Sequence, residues 1–311
     1  MGCCRVKLIR WGHTKSGTVR WHCPVCGKTR TRQKVSFSSK LLSRYLIDGD
    51  TCGQLAETYN VSPKTISRKI NKILDGKTPK LFHPEIKSPC WLMTDATHFK
   101  HWGCLFITKA MGIDQPLAVT FHQKENYESA MEHLSSLSHL PVNGYTLDGR
   151  RGVVGAYKQL FPQAKFQRCQ VHVRMKVQTL LTCKPKLNAS HGLLKLVRRF
   201  RVIKSLLSAF IWWEDFDLWQ RTNWQLLNQR SFKGRSWWYT HEHLRSAWKH
   251  VQNAQDNLFV FLTIPKSVSH TNHLEGTFGQ RKPALVRHRG LSRKRISSAL
   301  IWTFYLKQKN P

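Results

Sequence analysis

Three apolar segments stand close together in the sequence: WLMTDATHF at 91–99, CLFITKAMGI at 104–113 and LAVTFHQ at 117–123. Each is short and rich in β-branched or aromatic residues, which is typical of strands. Turn-forming residues separate them, around 101–103 and at 114–116. The segments therefore predict three successive strands joined by turns.

A helix, a fourth strand and a second helix are predicted next. The helix lies at about 126–138, the strand GYTLD ends at Asp148, and the second helix lies near 152–160. The order β-β-β-α-β-α predicts an α/β fold with a ribonuclease-H-like mixed-sheet core. We assign residues 91–311 to this core domain and residues 77–90 to a proline-containing linker before it.

Residues 173–262 are predicted to form a helical insertion within the core domain. The segment is basic, has a helical periodicity and carries seven of the twelve tryptophans, namely Trp212, Trp213, Trp219, Trp224, Trp237, Trp238 and Trp248. We expect most of them to pack in a core, although stacking on exposed bases is an alternative use. A final helix is expected to start near Asn272.

Charge is the strongest global feature of the 311-residue chain. Lys and Arg number 51 and Asp and Glu number 17, which gives a formal net charge of +34. Such an excess attracts polyanions, so we expect a nucleic acid as partner; a basic housekeeping protein such as a ribosomal protein is the alternative. No long apolar run and no signal region is seen, so we expect no membrane association and a location in the cytoplasm.

The segment RWHCPVCGKTRTR places Cys23 and Cys26 two residues apart and before a glycine. This spacing is typical of a zinc knuckle, so residues 1–35 are predicted to form a zinc-ribbon-like module. Cys4 is taken as a third Zn²⁺ ligand, and the fourth ligand stays open. Free buried thiols are the alternative interpretation.

Residues 36–76 are predicted to hold a helix-turn-helix. In TCGQLAETYNVSPKTISRKINKI, at 51–73, Ser62 followed by proline marks the start of the second helix. An apolar stripe of Ile66, Ile70 and Ile73 is expected to pack on the first helix. The opposite face is predicted to bind DNA through Lys64, Thr65, Ser67 and Arg68. An ordinary helical hairpin is the alternative.

Two carboxylates stand on predicted strands and a third stands near the C-terminus. Asp95 lies in the first strand and Asp148 closes the fourth, while Glu275 lies in HTNHLEGTFGQRK. Divalent ions such as Mg²⁺ or Mn²⁺ prefer carboxylate oxygens, and a pair of such ions can activate an oxygen nucleophile for attack on phosphate. Taken singly, a solvated acid, a turn former and a capping residue are the alternatives, and Asp114 is a competing acid at a strand end.

The motifs DATHF around Asp95, LDGRRG around Asp148, RCQVHV and TNHLEG…VRHRGLS together resemble those of the Mutator-type DDE transposases, in their bacterial insertion-sequence branch. The resemblance covers about 90–310. It implies that Asp95, Asp148 and Glu275 hold the catalytic metals. It also implies strand cleavage and transfer at terminal inverted repeats and target DNA. Because such enzymes align two DNA ends, a homodimer or higher oligomer is expected.

Further residues could support this site. His172 follows Cys169 by three residues in RCQVHV, and it is predicted to assist the site; a buried thiol beside a hydrogen-bonded imidazole is the alternative. The basic run near the C-terminus is predicted to contact phosphates through Arg281, Lys282, Arg287 and Arg289. The main alternative function is a sequence-specific DNA-binding regulator derived from a decayed transposase, and a structural nucleic-acid-binding protein is a third.

Overall fold

The computed structural model describes residues 4, 6–15, 19–31, 39–79, 81, 85–99, 102–274, 276 and 290–309. The chain divides into two compact units, Met1–Gly76 and Lys77–Pro311. None of the helices in the described ranges combines the length and hydropathy that crossing a membrane requires.

The first unit contains a small antiparallel sheet followed by helices. The sheet consists of β1 (Ile9–His13), β2 (Val19–His22) and β3 (Thr29–Arg30), in that order. The helices are α1 (Ser39–Ser43), which continues as a wider turn at Arg44–Asp48, α2 (Cys52–Tyr59) and α3 (Pro63–Leu74).

Local sequence explains the ends of α2 and α3. The Thr51 hydroxyl accepts a hydrogen bond from the backbone of Gln54 at the start of α2. Asn60 ends that helix in the left-handed region with a φ of 49°, and Ser62 caps the start of α3. The apolar stripe of α3 differs from the prediction at its end, because Leu74 is buried there and Ile73 is only partly covered.

The second unit is built on a mixed sheet, which confirms the predicted α/β class. Its strands are β4 (Cys90–His98), β5 (Cys104–Ala110), β6 (Ala118–His122), β7 (Val142–Leu147) and β8 (Lys165–Arg168), in the spatial order β6-β5-β4-β7-β8. The pairs of β4 with β5 and of β5 with β6 are antiparallel, whereas β7 pairs in parallel with both β4 and β8. The fifth strand, β8, was not predicted.

Helices α4 (Tyr127–Ser135) and α5 (Arg151–Leu160) cover one face of this sheet. Beneath them, the Thr94 hydroxyl contacts the Thr108 hydroxyl at 2.5 Å and also the phenol of Tyr157. Thr108 in turn contacts Nε2 of the buried His133 at 2.7 Å. Burial lowers the pKa of His133 to about 3, so its imidazole is neutral and acts as a hydrogen-bonding group within the core.

The predicted insertion is mainly helical, with α6 (Gln170–Leu181), α7 (Asn188–Arg198), α8 (Leu206–Thr222), α9 (Trp224–Asn228) and α10 (Glu242–Gln252). The prediction missed a β-hairpin between α9 and α10, formed by β9 (Arg230–Lys233) and β10 (Ser236–Tyr239). A helical turn covers 272–274, where a helix start was predicted, and the long C-terminal helix is α11 (Arg293–Lys309).

The seven tryptophans of the insertion divide between core and surface. Trp212, Trp219 and Trp248 are buried and Trp213 packs against them, as expected for most of the set. The other three, Trp224, Trp237 and Trp238, are each about half exposed.

The insertion leaves and rejoins the sheet at one place. The backbone N–H of Gln170, at the start of α6, donates to the carbonyl oxygen of Ser269 at 2.9 Å. Cys169 and Thr271 contact each other through Sγ and Oγ1 at 3.5 Å. The chain therefore returns, after the helices, to the point from which it left.

Candidate functional site

Asp95 lies on β4, and Asp148 directly follows the end of β7, the parallel neighbour of β4. The last paired positions of the two strands are Met93 and Thr146, two residues before the two carboxylates. The charge of Asp148 acts on Asp95, so the two side chains are near each other. The structure thus brings these two predicted carboxylates together where β7 ends.

Asp148 is held by local backbone geometry. Its Oδ1 accepts a hydrogen bond from the backbone N–H of Arg150 at 2.9 Å. Gly149 follows with a φ of 87°, a conformation that favours glycine. Arg168, at the end of β8, donates from Nη1 to the Gly149 carbonyl oxygen at 3.0 Å. Arg168 is thereby held beside the turn that carries Asp148.

A third acidic side chain, Glu125, reaches the same edge and was not among the predicted residues. It follows β6 and lies directly before α4. Its carboxylate is nearly buried and pairs with His98 Nε2 at 2.9 Å and with Arg150 Nη1 at 3.0 Å. Its charge also acts on Asp95 and Asp148. A signal was available, since the sequence QKEN places an acid between a strand and a helix cap.

His172 approaches the site from the first turn of α6. It contacts the thiol of Cys169, the residue that precedes the helix, and its charge interacts with Asp95 and Asp148. This contact raises the pKa of His172 and lowers the pKa of the buried Cys169 thiol. The arrangement favours a cationic imidazole beside the carboxylates.

Helix α10 of the insertion also borders the site. It packs against α6, and its His250 is close enough to Arg168 and Asp148 for their charges to act on the imidazole. Burial and then the cations Arg168 and Lys176 lower the pKa of His250 to about 4. A neutral imidazole therefore stands on this side, in contrast to His172.

The pKa of Asp95 reflects its burial and the charged groups around it. Burial, with smaller contributions from the negative charges of Asp148 and Glu125, raises the pKa of Asp95 to about 7 against the opposing effects of His172 and the Ala96 N–H. Asp95, Asp148 and Glu125 are close enough for their negative charges to act on one another, which opposes ionisation of Asp95. The oxygen atoms of these three side chains do not all lie within 4.8 Å of one another, so the three do not by themselves form a metal site in the described part of the chain.

Several predicted residues lie outside the described residues: Glu275, Arg281, Lys282, Arg287 and Arg289. The segment that leads to Glu275 is described, and Thr271 and Leu274 within it are fully buried. The competing acid Asp114 follows the end of β5 that pairs with the beginning of β4, so it is remote from Asp95 along the sheet.

In the first unit, the structure places three predicted metal ligands together. The sulfur atoms of Cys4, Cys23 and Cys26 all lie within 4.8 Å of one another, so the group could hold a metal ion. Around them, the Gly27 N–H donates to the Cys23 carbonyl oxygen and the Cys23 N–H to that of Lys28, both at 3.0 Å. Thiolates bound to one tetrahedral zinc stand about 3.8 Å apart, which this cluster approaches.

Helix α3 presents the four residues predicted to bind DNA away from its buried stripe. Lys64 and Arg68 are exposed. Thr65 and Ser67 are partly covered: the Thr65 hydroxyl contacts that of Ser62 at 3.0 Å, and the Ser67 hydroxyl accepts from Asn71 at 3.5 Å. The two cations are thus the more available pair on this face.

Comparison with known proteins gives no match: no protein-family model fits the chain, and no curated protein sequence is similar to it. The chain's own residues are therefore the basis on which its function is inferred.

Proposed function

We propose that this chain is a DDE-type transposase of an insertion sequence, which binds the terminal inverted repeats of its element and cleaves and transfers DNA strands. The observation that carries the proposal is that Asp95, on β4, and Asp148, just after the end of the parallel strand β7, are close enough for their charges to interact. A central strand with antiparallel partners on one side and parallel partners on the other also suits a ribonuclease-H-like core.

Asp95, Asp148 and Glu275 would hold Mg²⁺ or Mn²⁺. The bound ions supply an activated water or 3′-hydroxyl and charge neutralisation at the scissile phosphate. Arg168 supports this role, because its Nε is buried without a hydrogen-bond partner among the described residues and a phosphate oxygen would satisfy it. His172 adds positive charge at the same edge, where it interacts with Asp95 and Asp148.

The remaining parts have separate roles in the proposal. The cysteine cluster would bind Zn²⁺ and fix the fold of the N-terminal sheet. Lys64 and Arg68, with Thr65 and Ser67, would read the element end, and Arg281, Lys282, Arg287 and Arg289 would contact phosphates. Two ends must be joined in one complex, so a homodimer or higher oligomer is the expected working form.

Strand cleavage of a labelled duplex that carries the native element end, with Mg²⁺ present, tests this proposal. Wild type should cut at the element boundary, while Asp95→Ala and Glu275→Ala should bind the end without cutting it. Lys64→Ala should weaken end binding and leave the metal site intact. Tight end binding by wild type without any cleavage would favour a sequence-specific DNA-binding regulator derived from a decayed transposase.

A further inference from the structure

The β9–β10 hairpin exposes large aromatic side chains. Phe232 is 69% exposed, Trp237 is 48% exposed and Trp238 is 47% exposed. None of the three belongs to the buried core of the helical insertion. Large exposed apolar groups that cluster on one element are typical of a binding surface.

Strand register assigns these side chains to faces of the hairpin. Phe232 is paired with Trp237, and Arg230 with Tyr239. Directly opposed residues share a face and so do residues two apart on one strand, so these four side chains form one face, here called the aromatic face. Trp238 is paired with Ser231 and lies on the other side.

Guanidinium groups are stacked within the aromatic face. The Arg230 Cζ lies 4.2 Å from the centre of the Trp237 ring, and the Arg245 Cζ lies 3.9 Å from the centre of the Tyr239 ring. The Trp237 and Tyr239 rings meet edge to face at 5.4 Å. These contacts hold the Trp237 ring in place while about half of the residue stays exposed.

The base of the hairpin is anchored. Arg245 of α10 donates from Nη1 to the Leu227 carbonyl oxygen at 2.8 Å and to Asn228 Oδ1 at 2.7 Å. The Thr240 N–H donates to the Gln229 carbonyl oxygen at 2.9 Å. The aromatic face is therefore presented from a fixed support, which reduces the entropy lost on binding.

Charge decides what kind of partner fits this face. Residues 229–241, which contain the hairpin, have no Asp or Glu and contain Arg230, Lys233 and Arg235. A cationic surface of flat rings complements a nucleic-acid strand, whose phosphates are anionic and whose bases stack on aromatic rings. In a duplex the base faces are covered by their neighbours, so the rings can stack only on unpaired bases.

We infer that the aromatic face binds unpaired bases of single-stranded DNA, stacking them on Trp237 and Phe232. The inference rests on the proposed function for its setting, because strand cleavage at an element end is what would supply unpaired bases beside the protein.

The test compares two single-stranded probes in buffer without divalent ions: oligo-dT and an oligomer of the same length that carries abasic sugars. Both have the same phosphates, so the ratio of their affinities isolates the contribution of the bases. Wild type should prefer oligo-dT by about tenfold, which is about 1.4 kcal/mol. Trp237→Ala with Phe232→Ala should bind both probes equally, with the affinity for the abasic oligomer unchanged.

Three further variants separate stacking from folding and from charge. Trp237→Phe keeps a ring and should keep most of the preference, and Trp224→Ala removes a tryptophan of equal exposure (50%) outside the hairpin and should keep all of it. Lys233→Ala should lower the salt dependence of binding to both probes without changing their ratio.

No preference for oligo-dT in wild type, or a full preference in the double variant, would overturn the inference. Neither result depends on cleavage. A wild-type protein that prefers oligo-dT through Trp237 but never cuts an element end would remove the proposed function and leave the base-binding face in place.

Discussion

Arg168 and Gly149 are joined by a hydrogen bond in which the arginine Nη1 donates to the glycine carbonyl oxygen at 3.0 Å, and the guanidinium occupies the space where a side chain at residue 149 would lie. The turn that carries Asp148 is thereby coupled to the end of the outermost parallel strand. A change at Gly149 should disturb both the backbone and the arginine.

We predict that Gly149→Ala lowers the free energy of unfolding by about 2–4 kcal/mol, from the strained backbone and the displaced guanidinium together. Gly112→Ala is the matched control, because Gly112 has a similar φ of 80° with open space around it. It should cost only the backbone part, about 1 kcal/mol. Thermal and urea unfolding measure both, and equal losses would contradict the role given to Arg168.

Asp95 should make stability depend on pH. Burial raises its pKa to about 7, above the ordinary value of 3.8, so between these pH values the folded protein keeps a proton that the unfolded chain releases. The contribution of Asp95 to the free energy of unfolding therefore falls as pH rises from about 4 to about 7. Asp95→Asn lacks this pH-dependent contribution, so above pH 7 its melting temperature should be a few degrees higher than that of wild type.

The same variant reports on metal binding. Mg²⁺ should raise the melting temperature of wild type at alkaline pH and leave Asp95→Asn unchanged, because the variant has lost a ligand charge. Asp114→Asn, at an exposed carboxylate remote from the site, should behave as wild type in both experiments. A destabilised Asp95→Asn at every pH would show that the buried charge is fully compensated without a cation.

Cys23→Ser should abolish stoichiometric zinc binding and lower the melting temperature of the N-terminal unit, because a structural zinc site contributes directly to folding. Cys183→Ser is the control, since Cys183 is exposed and lies outside the three-thiol cluster. Zinc content of the purified proteins, measured with a colorimetric chelator, separates the two. Full zinc occupancy in Cys23→Ser would place the ion elsewhere.

Arg68→Ala should weaken binding to the element end more than binding to an unrelated duplex, by about 1–3 kcal/mol if the guanidinium reads a base. Lys69→Ala removes the same charge from the same helix at a position that is not among the four predicted DNA-binding residues. Lys69→Ala should weaken binding to the element end and to the unrelated duplex by the same factor. Fluorescence anisotropy at fixed salt is the measurement, and equal specificity in Arg68→Ala would assign that residue to phosphate contact only.

The sequence predicted those parts of the fold whose information is local. β4, β5, β6 and β7 were recognised because their residues are apolar and β-branched, and α3 because Ser62 and Pro63 mark its start. The strand ends were less accurate, since β5 stops at Ala110, before a glycine turn that an apolar window overruns.

The fifth strand was missed because its residues, KFQR, are mostly polar. It is held by pairing with β7 and by the buried Gln167, which donates to the Leu258 carbonyl oxygen and accepts from the Phe261 N–H, both at 2.9 Å. Those partners lie far away in the sequence. The β9–β10 hairpin was hidden for a related reason: its tryptophans stand in a region whose other aromatic residues pack between helices.

Asp95 and Asp148 could be associated in advance only through the predicted ribonuclease-H-like topology, in which the first and fourth strands lie side by side. For Glu125 the sequence offers only its place between a strand and a helix cap; its burial and ion pairing depend on where the fold puts His98 and Arg150.

The hydrogen bond from the Gln170 N–H to the Ser269 carbonyl oxygen closes the helical insertion at its base. The segment between Gln170 and Ser269 is a loop whose two ends meet beside the sheet. Each doubling of the length of such a loop costs only about 0.6 kcal/mol of closure entropy. The segment between these residues can therefore lengthen at little entropic cost while β4 and β7 keep their register. Leu258 and Phe261 lie within it and hold Gln167 of β8, so any exchange of its helices by recombination or protein engineering has to keep these two backbone contacts.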